Sequence, residues 1–183
     1  MSSSHNKWSR RELFRRLGGQ PGHSDAGGGA RGFDTCRPRA DDCLRQGHYQ
    51  QAAELYQRSL ERDPDQHQVR FRLAYCSLKL GHLNAADQLW QTLLDGPRGE
   101  DSLVLLYAGM THAAMGQVEQ AIAIWKKFQD YARIHVQREI NTIVFQHERG
   151  EELSATDLVA RMDEAIVRQA IMPGSEDIVP GRS

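Results

Sequence analysis

The sequence predicts an all-α protein built from a helical repeat, and two observations carry that prediction. Glycines stand at Gly47, Gly81, Gly116 and Gly150, with spacings of 34, 35 and 34 residues. Five residues after each glycine comes an alanine (Ala52, Ala86, Ala121, Ala155), and four further on a larger side chain (Tyr56, Trp90, Trp125, Val159). A period of that length marks a stacked array of small units. Between these landmarks the apolar residues recur at helical spacing and do not alternate, so no strand is expected.

Each unit reads as an amphipathic helix, a glycine turn and a second amphipathic helix. Glycine tolerates the positive φ that closes a first helix and opens a turn. The small alanine lets two helices approach closely, and the large residue one turn later fills the space beside it. The second helix of unit one lies in GHYQQAAELYQRSLERDP, and that of unit two in GHLNAADQLWQTLLDGP. Pro64 and Pro97 stop these helices, and Pro38 shortens the first helix of unit one. A fourth unit, Val136 to about Ile171, keeps Gly150 and Ala155 but departs elsewhere. Glu151 and Glu152 occupy its turn, and Ser154 with Asp157 marks a fresh helix start. Such a unit is expected to cap the stack and hide its apolar flank.

Ahead of the repeats the chain changes character. Residues 1–39 carry eight basic groups (Lys7, Arg10, Arg11, Arg15, Arg16, Arg31, Arg37, Arg39) against Glu12, Asp25 and Asp34, a net of +5. The remaining residues carry 15 basic and 21 acidic groups, a net of −6. Seven of the 16 glycines fall between Gly18 and Gly32, which reads as a flexible linker. Upstream of it, Ser9 and Glu12 form a capping box, and Trp8 with Leu13 a hydrophobic staple. Leu13, Phe14 and Leu17 then share a face, with Arg10, Arg11, Arg15 and Arg16 largely around the other. Residues 7–17 are thus expected to form a basic amphipathic helix on a tether, a docking element for a partner or for a groove of this same protein. Ser9-Arg10-Arg11 also resembles the opening of a twin-arginine export signal, but glycines follow where an apolar segment is needed, and export is rejected. Residues 172–183 are expected to be disordered.

Several function classes are excluded. The longest apolar run, Leu103 to Met110, is eight residues, whereas a membrane span needs roughly 20. Cys36, Cys43 and Cys76 form no C-x-x-C pair and leave one over in any pairing, which points to reduced thiols in the cytoplasm. The near balance of charge argues against a nucleic-acid partner for the whole protein. His48 and His82 follow equivalent glycines and read as exposed turn residues. His112 reads as a buried or groove histidine, and His147 lacks the second histidine that a helical zinc site needs. No G-x-S-x-G or P-loop is present, and Gly27-Gly28-Gly29 has no following lysine or strand. Asp41 and Asp42 are adjacent on a helix and point in different directions. The sequence therefore implies no active site, no metal and no cofactor.

On the residues of the period, the stretch 33–133 resembles three tetratricopeptide repeats. The family's alanine, aromatic four later and proline eight later is met by Ala52, Tyr56 and Pro64. Ala86 and Trp90 follow with Pro97 one residue early, and Ala121 and Trp125 with Arg133 in place of proline. Leu73-Ala74 and Ala108-Gly109 stand where Leu-Gly is typical, and the early tryptophan is absent. The resemblance implies a right-handed α–α superhelix of about three repeats plus capping helices over 134–171. It also implies a concave groove, lined by the first helix of each pair, that takes an extended or helical peptide. Carried over residue by residue, the groove holds Arg37, Asp41 and Arg45 from unit one, and Gln68, Phe71, Tyr75 and Lys79 from unit two. Unit three adds Leu103, Leu106 and Met110, and the capping unit Ile140 and Val144. Leu103 and Tyr107 stand where a chaperone-type carboxylate clamp needs basic groups, so that clamp is disfavoured. The implied function is non-catalytic protein–protein interaction, as an adaptor, scaffold or assembly factor. The alternative is a tail-driven binder of anionic membrane or nucleic acid acting through residues 7–17.

Overall fold

The computed structural model describes residues 36–170. The expectations for the helix at 7–17, the glycine linker and the C-terminal tail lie outside the described residues. Eight α-helices and no strand are present among the described residues. They are α1 (Cys36–Arg45), α2 (Tyr49–Arg62), α3 (His67–Lys79), α4 (Leu83–Leu94), α5 (Ser102–Ala114), α6 (Val118–Trp125), α7 (Ile134–Glu148) and α8 (Ala155–Ala170). Consecutive helices form four pairs, and the second helix of each of the first two pairs packs on the first helix of the next.

The turns inside the pairs repeat one geometry. Gly47, Gly81, Gly116 and Gly150 have φ of 76°, 74°, 78° and 76°, the left-handed region that side chains disfavour. In each turn the residue after the glycine donates its N–H to the carbonyl five back, as in His48 to Cys43 and His82 to Ser77, both 2.9 Å. The glycine N–H meanwhile bonds the carbonyl three back, as in Gly81 to Leu78 at 3.0 Å. Two of the carbonyls that a helix end would otherwise leave orphaned are thereby satisfied.

Packing follows from the residues five and nine beyond each glycine. Ala52, Ala86 and Ala121, with Tyr56, Trp90 and Trp125, are completely buried. Burying a large apolar side chain stabilises by about 2 kcal/mol, provided its polar atom finds a partner. Trp90 Nε1 donates to Thr111 Oγ1 at 2.9 Å, linking α4 to the next pair, and Trp125 Nε1 donates to the Leu106 carbonyl at 3.1 Å. The Tyr56 hydroxyl donates to Asp41 Oδ1 at 2.6 Å, and Arg72 Nη1 from the next pair donates to the same oxygen at 2.5 Å. Trp125 fits only because Gly109 faces it: a Cβ there would lie 2.1 Å from Trp125 Nε1.

The last pair departs from this scheme. Ala155 and Val159, the repeat equivalents, are only half-buried, and Leu158, Met162, Ala165 and Ile166 carry the core instead. The departure begins at the turn after α6, a helix of only eight residues. There Asp130 accepts hydrogen bonds from the Ser102 hydroxyl at 2.7 Å, the Ala132 N–H at 3.0 Å and the Arg133 guanidinium. Its own N–H donates to Gln137 Oε1 at 2.7 Å. The turn thus ties the start of α5 to the start of α7. Beyond it α7 touches α6 only lightly, and α8 packs on α5 as well as on its own partner α7. Buried Gln169 fastens the far end of α8, accepting from the His135 N–H at 3.0 Å and donating to the Ala132 carbonyl at 3.3 Å.

Two substitutions separate backbone strain from packing. Gly81→Ala meets no atom within 4 Å and suffers only its positive φ, a cost of about 1–2 kcal/mol. Gly109→Ala has an ordinary helical backbone but collides with Trp125, and overpacking of this kind costs about 1–3 kcal/mol. In chemical denaturation, Asn at position 81 is expected to recover part of the loss, because Asn tolerates this conformation. No polar replacement at position 109 is expected to do so. The Asp130 turn adds a pH dependence. Burial works against the Asp130 charge, but the bonds from Ser102 and Arg133 outweigh it and hold the carboxyl below its ordinary 3.8. A lowered carboxylate stabilises the fold above its unfolded value and loses that contribution as pH falls through the folded one. The gap in melting temperature between wild type and Asp130→Asn is therefore expected to be open at about pH 6 and to close as pH drops below 3.8.

Candidate functional site

The first helices α1, α3 and α5 carry most of the residues that the resemblance assigns to a groove, and their chemistry changes from one end to the other. On α1, Arg45 is exposed and pairs with Asp42, and Arg37 is half-buried with its Nη2 donating to Gln68 Oε1 of α3 at 2.7 Å. Asp41 is not free to face a ligand, since it is held between Tyr56 and Arg72. This end of the face is polar and basic.

An aromatic cluster occupies the middle. Tyr75 of α3 meets Tyr107 of α5 edge-on with ring centroids 5.0 Å apart, and Tyr49 of α2 at 6.2 Å. Phe71 is half-buried and sets its ring against Trp90 at 5.3 Å and Tyr107 at 6.0 Å. Lys79 lies over the Tyr75 ring, 5.7 Å from its centroid, a cation–π arrangement. The Lys79 ammonium also stands 3.7 Å from Asp163 Oδ1 of α8. Burial, reinforced by neighbouring Tyr49 and Asp163, pushes the Tyr75 hydroxyl well above its ordinary value, and Tyr107 shifts the same way for the same first cause. Both phenols are therefore neutral hydrogen-bonding groups at physiological pH. Burial likewise pushes the Cys76 thiol up to about 12, which makes it a packing group and a poor nucleophile.

At the far end α8 covers the face. Tyr75, Leu106, Met110 and Ile140, expected to line the groove, are 4%, 0%, 3% and 1% exposed. Leu103 and Val144 are half-buried and pack against the same core. Leu106 and Met110 belong to α5 and Ile140 to α7, the two helices on which α8 packs, whereas Tyr75 is enclosed by Tyr49 and Tyr107. Ten consecutive residues of α5, Val104 to Ala113, are buried, which a helix achieves only when neighbours cover every side. Of the residues assigned to the groove, Arg45, Gln68 and Lys79 offer open surface, and Arg37, Asp41, Phe71, Leu103 and Val144 offer part of theirs. Asp163, which sequence reasoning did not single out, stands beside Lys79, and Tyr107 is buried in the aromatic cluster.

His48 and His82 are exposed at the starts of α2 and α4. His112 is buried, with Nδ1 2.6 Å from Gln117 Oε1 and Nε2 3.3 Å from Asp87 Oδ1. His147 Nε2 lies 3.2 Å from Glu119 Oε2. Among the described residues no group of three or more His, Cys, Asp or Glu side chains could hold a metal ion, and no helix is long and apolar enough to cross a membrane.

Helix pairs joined by positive-φ glycines, with a small residue and then a large one buried in the second helix of the first three pairs, define a helical repeat protein. Family models described as tetratricopeptide repeat match residues 44–108 and 103–132. The chain belongs to the tetratricopeptide repeat family. These repeats generally mediate protein–protein interaction and are typically non-catalytic. Neither match extends into α7 and α8, the pair whose packing departs. A search of curated proteins found no match.

Removal of the Tyr75 ring is expected to behave as a core deletion. Tyr75→Ala leaves a void against Tyr107 and Tyr49, costing about 3–5 kcal/mol, whereas Tyr75→Phe keeps the ring contacts and costs far less. Urea denaturation of the two variants checks this. Equal stability of Tyr75→Ala and wild type would show the ring to be unsupported by its neighbours.

Proposed function

We propose that this protein is a non-catalytic protein–protein interaction module, an adaptor, scaffold or assembly factor, which takes a helical or extended peptide on the inner face of its repeats. The observation that carries this reading is the position of α8. An amphipathic helix, apolar through Leu158, Met162 and Ile166 and acidic at Asp163, lies against α5 and extends its carboxylate toward Lys79. That contact supports the view that the inner face favours apolar helices carrying acidic groups. A partner of the same chemistry would meet Phe71 and then Arg37 and Arg45 on the part of the face that α8 leaves uncovered. Helix-in-groove recognition works by such anchors at helical spacing.

The test is affinity capture with wild type and with Arg37→Glu, Arg45→Glu. Exposed pairs contribute little to stability, so circular dichroism of the variant is expected to match wild type. Its yield of captured partner is expected to fall by about tenfold. Capture of the same partners at the same yield would reject the inner face as the binding surface.

A further inference from the structure

The side of α7 turned away from the core leaves two large apolar residues exposed, one near each end of the helix, with a third just before it. Tyr131, Ile134 and Phe145 are 88%, 50% and 59% exposed, although α7 buries Val136, Ile140 and Ile143 on its other side. Together with Gln137, Arg138, Asn141 and Thr142 they line a shallow cleft of about 500 Å³. The period of the lining is helical, at positions 134, 138, 141, 142 and 145. These five residues share one face of α7, apolar at its two ends through Ile134 and Phe145 and polar between them at Arg138, Asn141 and Thr142.

The charges around the cleft determine what it can accept. Arg138 sits between Ile134 and Phe145, is exposed, and pairs with no carboxylate among the described residues. The neighbouring basic groups are already engaged: Arg133 by Asp130, and Arg149 by Glu151 at 3.7 Å while it lies over the Phe145 ring at 5.6 Å. A second copy on this face would bring two Arg138 guanidinium groups within about a turn of one another, because a two-fold axis through the cleft passes close to residue 138. The basic segment at 7–17 carries Arg10, Arg11, Arg15 and Arg16 and has the same like-charge conflict.

We infer that this face of α7 is a second docking surface, for an amphipathic helix of another protein that presents a carboxylate between two apolar anchors. Ile134 and Phe145 are eleven residues apart, which is roughly 16 Å along a helix. The occupant's anchors therefore stand about three turns apart, with an Asp or Glu midway to meet Arg138. Tyr131 and Phe145 supply the aromatic rims that anchor such contacts. The surface is separate from the inner face, so one partner can be held in each place.

The experiment pans a displayed library of random peptides about 16 residues long against the full chain. Wild type is compared with Ile134→Ser, Phe145→Ser and with Arg138→Glu. Because the three side chains are exposed, the variants are expected to melt with wild type. Wild type is expected to enrich amphipathic peptides with a central acidic residue. Recovery of those peptides is expected to fall about tenfold on the double serine variant, and Arg138→Glu is expected to select lysine or arginine in place of the acid. Equal recovery on wild type and the double variant, enrichment without an acidic residue, or no enrichment above a blank support would each overturn the inference. So would a wild-type dimer in sedimentation that the serine variant abolishes, since the occupant would then be a second copy.

Discussion

The array rests on four glycines held near φ +75°, because only a turn of that conformation sends the second helix of each pair back along the first. The 34- and 35-residue spacing carries this turn forward at constant phase, and in the first three pairs the alanine and the large residue beyond it arrive at the same buried contact. Neither helix of a pair can bury its apolar side alone, and stacking follows as the way to cover it. Trp90 and Trp125 then fill the space left by the small residues, and each finds a hydrogen-bond partner on α5. A single glycine inside a helix, Gly109, provides the room for the second of these rings.

The same logic explains where the regular pattern stops. Asp130 gathers Ser102, Arg133 and Gln137 into a turn that redirects the chain after a short α6. The final pair therefore makes different contacts with the stack, and α8 covers part of α5. The inner face is left with a basic end at α1, an aromatic centre over α3 and a self-occupied end at α5. The charge of the face and the charge of the helix already on it agree: Lys79 stands against Asp163.

Much of this was legible in the sequence. The glycines, the alanines and the tryptophans carry local signals, and each landed in the conformation its spacing demands. The run Val104 to Ala113 carried a further signal, since a helix apolar on every side must be covered on every side. Leu106 and Met110 fall within that run and are interior. The partner that covers them was not legible. Asp163 and Lys79 are separated by 84 residues, and no periodicity links one exposed acid to one lysine at that distance. Ala155 and Val159 misled for a related reason: they match the repeat in spacing, but the orientation of α8 is set by the Asp130 turn and Gln169, which act from outside the repeat.

The return of α8 to α5 has a kinetic consequence. In a stack whose units touch only their neighbours, contacts are short in sequence, and closing each one costs little chain entropy. The four helical hairpins belong to that class and can form early and independently. The bridge between α3 and α8 does not, because a long stretch of chain must already be ordered before Asp163 can meet Lys79. Docking of α8 is thus expected late in folding, once the part of the stack it packs on has formed.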